Sequence, residues 1–143
     1  MRWNGHEGTR AASGVRYPVG VTEEMCATDA YVRSCEATVE QVTDGGVVLD
    51  RTVFYARSGG QPGDTGVLRW DGGETRVVDT VKEGGSPLHQ VEGVPLPVGA
   101  AVTAEIDWGR RHRLMRTHTA LHALSAVVFR DYHAKVTGGN MEP

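Results

Sequence analysis

From Val32 to Val42 apolar and polar positions alternate, with Cys35, Ala37 and Val39 on one face, the period-two pattern of a half-buried strand. Asp44-Gly45-Gly46 is a hairpin turn signal, and Val47-Val48-Leu49 reads as the returning strand. Thr52 to Ala56 reads as a third strand, and Ser58 to Asp64 as a loop. Thr65–Trp70, Thr75–Val81, Leu88–Val91 and Ala101–Ile106 add short strands punctuated by glycine or proline. Six or seven strands at this spacing predict a small barrel or a strongly twisted sheet.

The period then changes. Asp107 is placed to cap a helix, because its carboxylate can accept from the first free amides. The spacing predicts a helix from Trp108 to about Tyr132, with Leu114, His118, Leu121, His122, Ser125, Val128, Phe129 and Tyr132 on one inward stripe. Beyond Tyr132 the chain turns polar, through Gly138-Gly139. The expected class is α+β. Residues 1–20 read as a flexible extension, 21–107 as a β-barrel domain, and 108–143 as the first helix of an incomplete second domain. One long helix has too little to pack against to stand alone.

Composition narrows the class. At 143 residues and 39% hydrophobic, the chain is globular, and its 19 glycines suit many tight turns. A net charge of −3 gives no global reason to expect nucleic acid. The distribution does: between Asp107 and His118, Arg110, Arg111, Arg113 and Arg116 face one acid. Cys26 and Cys35 lack the spacing of a zinc knuckle and the density of a disulfide scaffold, so reduced thiols in the cytoplasm are expected. There is no apolar run long enough for a membrane span and no signal-peptide core in the first 20 residues.

Three features carry chemistry. His118 and His122 are one helical turn apart, so their imidazoles face a common point; zinc favours such neutral nitrogens. The competing reading is two core histidines, each with its own partners. The glutamate of the HExxH pattern is missing, so no general base comes with the pair. In Arg57-Ser58-Gly59-Gly60-Gln61-Pro62-Gly63-Asp64-Thr65-Gly66, paired glycines permit close backbone approach and Gln61 offers an uncharged donor and acceptor; an ordinary hairpin loop would look similar. The arginines oppose the helix dipole and so suit an anionic partner, unless they are solvated or paired with Asp107 and Glu105.

The run Asp50-Arg-Thr-Val-Phe-Tyr-Ala-Arg-Ser-Gly-Gly-Gln-Pro-Gly-Asp-Thr-Gly66, followed by Arg-Leu-Met-Arg-Thr-His-Thr-Ala-Leu-His122, resembles the editing domain of alanyl-tRNA synthetase and its free-standing trans-editing relatives. The resemblance covers about Thr22 to Asn140. It implies a barrel-like first domain and a second α/β domain shared with threonyl-tRNA synthetase. It also implies a zinc held by HxxxH and a later Cys-x-x-x-His; His118 and His122 match the first pair, and the second has no counterpart in this sequence. By the same resemblance the protein hydrolyses seryl- or glycyl-tRNA for alanine, with Gln61, Gly59, Gly60 and Thr119 at the reacting end. Arg110, Arg111, Arg113 and Arg116 would meet acceptor-stem phosphates of the tRNA. Ser58 stands where many free-standing members carry glycine, and Arg57 is an unusual neighbour for that loop. A C-terminally truncated editing protein is the expectation, with a tRNA-binding module lacking hydrolysis as the alternative. A release-factor-like use of Gly59-Gly60-Gln61 rests on three residues alone.

Overall fold

Alternating β-branched side chains and glycine turns close into a barrel. The computed structural model describes residues 20–141, so residues 1–19, read above as an extension, lie outside the described residues. The elements are β1 (Glu23–Glu24), a single 3-10 turn (Met25–Ala27), β2 (Ser34–Thr43), β3 (Gly46–Leu49), β4 (Arg51–Thr52), β5 (Gly66–Trp70), β6 (Gly73–Glu83), β7 (Ser86–Gly93), β8 (Ala101–Ile106) and α1 (Trp108–Tyr132). Six strands form the closed barrel in the order β2-β3-β7-β6-β5-β8, and β8 returns antiparallel onto β2. Closure leaves no unpaired edge among those six.

The alternation of β2 buries Ala37 and Val39. Val47 and Leu49 of β3, Leu68 of β5, Val77 of β6, and Val102, Ala104 and Ile106 of β8 meet them in one core, with Val53, Phe54 and Leu96. Gly46 shows how tightly β3 and β7 approach. Its φ is +147°, and a Cβ there would sit 2.1 Å from the His89 carbonyl oxygen.

One expectation is corrected by the barrel. Thr52–Ala56 is not a barrel strand: only Arg51–Thr52 pairs, and it pairs in parallel with Glu23–Glu24 outside the barrel. Val53, Phe54 and Ala56 are nonetheless buried, and Val53 and Phe54 join the core formed by the barrel strands. The apolar run recorded burial, not pairing.

His89 lies fully buried inside this core. Its Nδ1 donates to the Val47 carbonyl at 3.0 Å, which leaves Nε2 to accept from the Thr52 hydroxyl at 2.8 Å. The Phe54 amide donates in turn to Thr52 Oγ1 at 3.1 Å. Burial pushes the His89 pKa down to about 4, so the ring is held neutral.

Helix α1 has the bounds that its period predicts. The Asp107 carboxylate accepts from the Arg110 amide at 2.9 Å, and the Asp107 amide donates to the Thr65 carbonyl at 2.7 Å, fixing the helix start to the barrel. His133, left-handed at φ 52°, ends it and donates to the Phe129 carbonyl. The inward stripe is corrected: only Arg111 and Leu114 are buried on α1, whereas Leu121, Phe129 and Tyr132 are exposed. The first turns of α1 meet the barrel, and beyond His118 most of its side chains are exposed.

Candidate functional site at the glycine-rich loop

The root of α1 is an ion pair. Arg111 Nε donates to Asp64 Oδ1 and Oδ2 at 2.9 and 2.8 Å, and Nη2 bonds Oδ2 as well. Both side chains are almost fully buried. Their remaining polar atoms have partners too: Arg111 Nη2 donates to the Val53 carbonyl at 2.9 Å, Nη1 to the Ala30 carbonyl at 3.2 Å, and the Tyr55 amide to Asp64 Oδ2 at 2.8 Å. A buried pair whose every polar atom has a partner tolerates its desolvation, and losing either partner is costly. Asp64 ends the glycine-rich loop, so this pair ties the loop and the helix to one point.

The loop itself is a tight bridge. Ser58 and Gln61 exchange backbone hydrogen bonds at 3.2 and 2.9 Å across Gly59 and Gly60, whose φ values are 56° and 78°. Only residues without a Cβ adopt this pair of conformations cheaply. At Gly60 the approach is also close: a Cβ would lie 2.2 Å from the Gly139 carbonyl oxygen. The Met141 amide donates to the Gly60 carbonyl at 2.9 Å, and Met141 is buried. The segment after α1 therefore lies back across the loop.

Two helical turns past Arg111, ~10 Å along the axis, His118 reaches the same loop. Its Nδ1 donates to the Gln61 amide oxygen at 3.0 Å, joining residues 57 apart in sequence. Gln61 is buried, and His118 is half-buried against Gly59. With Nδ1 carrying the proton, Nε2 of the neutral ring is left with a lone pair. His122 stacks on His118 with ring centroids 4.8 Å apart and 16° between planes. A cavity of about 510 Å³ opens beside Gln61, walled by Arg57, Asp79, Arg110, Asn140 and Met141 among others.

The sequence candidates therefore divide. Gly59, Gly60, Gln61, His118 and His122 come together. Thr119 is exposed on the flank of α1, next to His118 in sequence. Arg113 and Arg116 are exposed, and Arg110 is half-buried with Nη1 donating to the Gly63 carbonyl at 2.7 Å. Arg111 is corrected: it is 2% exposed and committed to Asp64, so its guanidinium is not offered to phosphate. Nor is its partner Asp107 or Glu105; Glu105 pairs with Arg69. Asp64, Asn140 and Met141 carry no role in the sequence reading. For Asp64 the signal was available, as the one acid of the loop Arg57–Gly66, set between Gly63 and Gly66.

For zinc, the donors fit in kind but not in number. Two adjacent imidazoles suit the metal, yet among the described residues no group of three or more metal-ligating side chains exists. No helix among them is long and apolar enough to cross a membrane.

A profile of the family described as tRNA synthetases class II (A) matches residues 19–110. The alanine–tRNA ligase of Pyrobaculum arsenaticum is 52% identical over 104 residues, which is 72% of this chain and 12% of the ligase. The alanyl-tRNA editing protein AlaX-M of Methanosarcina barkeri is 44% identical over 128 residues, 85% of this chain and 53% of that protein. AlaX-M of Saccharolobus solfataricus is 40% identical over 126 residues, covering 86% and 53%. The chain thus spans about half the length of the editing proteins it matches. With residues 19–110, the barrel and the glycine-rich loop, matched by its model, the chain belongs to the class II (A) tRNA synthetase family.

Proposed function

We propose that this chain carries the substrate-binding part of an editing hydrolase that removes serine or glycine from mischarged alanine-specific tRNA. The observation that supports this reading is the hydrogen bond between Gln61 and His118. It brings the two motifs into one site beside an open cavity.

The substrate is an activated ester, so water suffices as nucleophile. Gln61, fixed by His118 and by the Ser58–Gln61 bridge, is free to use its amide NH2 toward the ester or the terminal ribose. The Gly59–Gly60 backbone lets the aminoacyl end approach without a Cβ in the way. A polar contact to a serine hydroxyl would discriminate against alanine, which leaves such a group unpaired. His118 and His122 would hold two positions of a zinc ion, with Gln61 orienting the His118 ring through its hydrogen bond to Nδ1. A zinc ion held there would supply Lewis acidity toward the ester carbonyl. Arg113 and Arg116, exposed on α1, would meet acceptor-stem phosphates. Residues 108–143 act in this reading as the first helix of the editing domain.

A second reading is a tRNA-binding module without hydrolysis. The observation that favours it is the two-donor metal set. Deacylation of seryl-tRNA for alanine, measured with the chain and with a form lengthened to the size of the editing relatives, separates the two. In whichever form hydrolyses the ester, His118→Ala is expected to abolish the rate and leave tRNA binding nearly intact. Gln61→Ala is expected to slow it without releasing zinc. Equal hydrolysis by His118→Ala and the unsubstituted protein would overturn the mechanism.

A further inference from the structure

We infer that the cavity beside Gln61 is a subsite for the phosphodiester on the 5′ side of the substrate's terminal nucleoside, bound by Arg110 and Arg57. The inference rests on the reading of an RNA ester as substrate and specifies how its end is held in register.

Arg110 reaches the cavity with its guanidinium bonded only to the Gly63 carbonyl, a neutral acceptor. No carboxylate pairs with it among the described residues, so its positive charge is not cancelled by an ion pair. Arg111, the next residue, contrasts with it: its charge is fully spent on Asp64. Arg57 stands at the opposite side of the sequence motif. Its backbone is fixed by the bond to the Thr80 carbonyl at 2.8 Å. One guanidinium nitrogen, Nη2, meets Asp79 Oδ2 at 2.6 Å. Asp79 is itself fixed, since its Oδ1 accepts from the Thr80 amide at 2.9 Å.

This geometry orients Arg57 without using up its donors. A guanidinium has five N–H groups, and a single carboxylate contact leaves most of them available. With the side chain 61% exposed, those donors are open to the cavity mouth. Two arginines and one carboxylate therefore surround the cavity, leaving an excess positive charge. Asn140 adds an uncharged donor to the same wall.

Substrate chemistry supplies the occupant. The ester that Gln61 would address sits on the terminal ribose. The anion nearest to that ester along the RNA is the phosphodiester 5′ of the same ribose. A cationic cavity that includes Gln61 in its wall is in place to take that group. Arginine matches phosphate geometry through paired N–H donors. Arg57 and Arg110 are thus positioning residues, which fix the ester relative to Gln61 and take no part in bond making.

The test uses the full chain and two RNA minihelices ending in CCA. One has normal phosphodiesters; the other has a neutral methylphosphonate at the linkage before the terminal adenosine. The unsubstituted chain is expected to bind the normal RNA about tenfold more tightly. Arg110→Gln and Arg57→Gln are each expected to weaken binding of the normal RNA several-fold and leave the methylphosphonate RNA nearly unchanged. Each is also expected to lower the salt dependence of log K by ~0.7 per lost contact on single-stranded RNA. Arg57 is exposed, so its variant reports on the subsite even where Arg110→Gln perturbs the helix start. Equal weakening on both RNAs, or no weakening on either, overturns the subsite while leaving the RNA reading intact. Failure of the unsubstituted chain to bind either RNA contradicts both.

Discussion

The two ends of α1 are built on different principles. The first end is anchored: Asp107 caps it against Thr65, Arg111 is sealed into an ion pair with Asp64, and Leu114 is buried. The far end carries Leu121, Leu124, Phe129 and Tyr132 at 41, 57, 52 and 77% exposure. His118 sits at the boundary, on the face set by the anchored end. The lesson is that a helix with little buried area of its own can still place a side chain accurately. One buried, fully satisfied ion pair at its root and one hydrogen bond at the loop are enough.

The strongest way to break this contrast is at the root. Asp64→Ala leaves the Arg111 guanidinium buried and uncompensated, so a loss of about 3–5 kcal/mol is expected by urea unfolding. A loss below about 1 kcal/mol, typical of exposed pairs, would show that the pair does not anchor the helix.

Acid tests the barrel interior next. His89 has a folded pKa of about 4 against 6.5 for a free ring. The unfolded chain therefore binds the extra proton first, and the group's contribution is fully present above pH 6.5. It is lost as pH falls toward 4. The expected decline across that window is up to about 3 kcal/mol, read from unfolding midpoints at a series of pH values. His89→Leu is expected to flatten that part of the profile; an unchanged slope would assign the acid sensitivity to other groups.

Leucine truncation compares the two ends directly. Leu114→Ala is expected to cost about 2 kcal/mol, the low end for a buried leucine. Leu124→Ala is expected to fall within about 0.5 kcal/mol, as for exposed positions. Similar losses at both sites would mean that the exposed face is packed in solution.

Much of this arrangement was legible in the residues. The barrel strands from Ser34 onward, the hairpin at Gly45-Gly46 and the cap at Asp107 follow from local patterning, because each depends on near neighbours in sequence. The departures share a cause. Thr52–Ala56 is an apolar run like that of a buried strand, but burial alone does not say whether a segment pairs. Arg111 sits in a cationic run, and nothing in that run marks which arginine turns inward toward Asp64, 47 residues earlier. The stripe through Leu121 and Phe129 is amphipathic, but periodicity does not reveal whether a covering element is present. The candidate loop and histidine pair were visible as motifs; their contact was not, since it depends on the fold of the barrel between them.

The central point is that Gln61 and His118 form one unit, and the imidazole tautomer reports it most directly. A free neutral imidazole is not bound to either tautomer, whereas the Gln61 amide oxygen can only accept, which requires the proton on Nδ1. Nitrogen-15 NMR of the neutral His118 side chain distinguishes the two nitrogens. The expected result is an Nδ1-protonated ring in the unsubstituted chain, with that preference lost in Gln61→Ala. An Nε2-protonated ring in both proteins would contradict the contact, and with it the joining of the loop and the helix into one site.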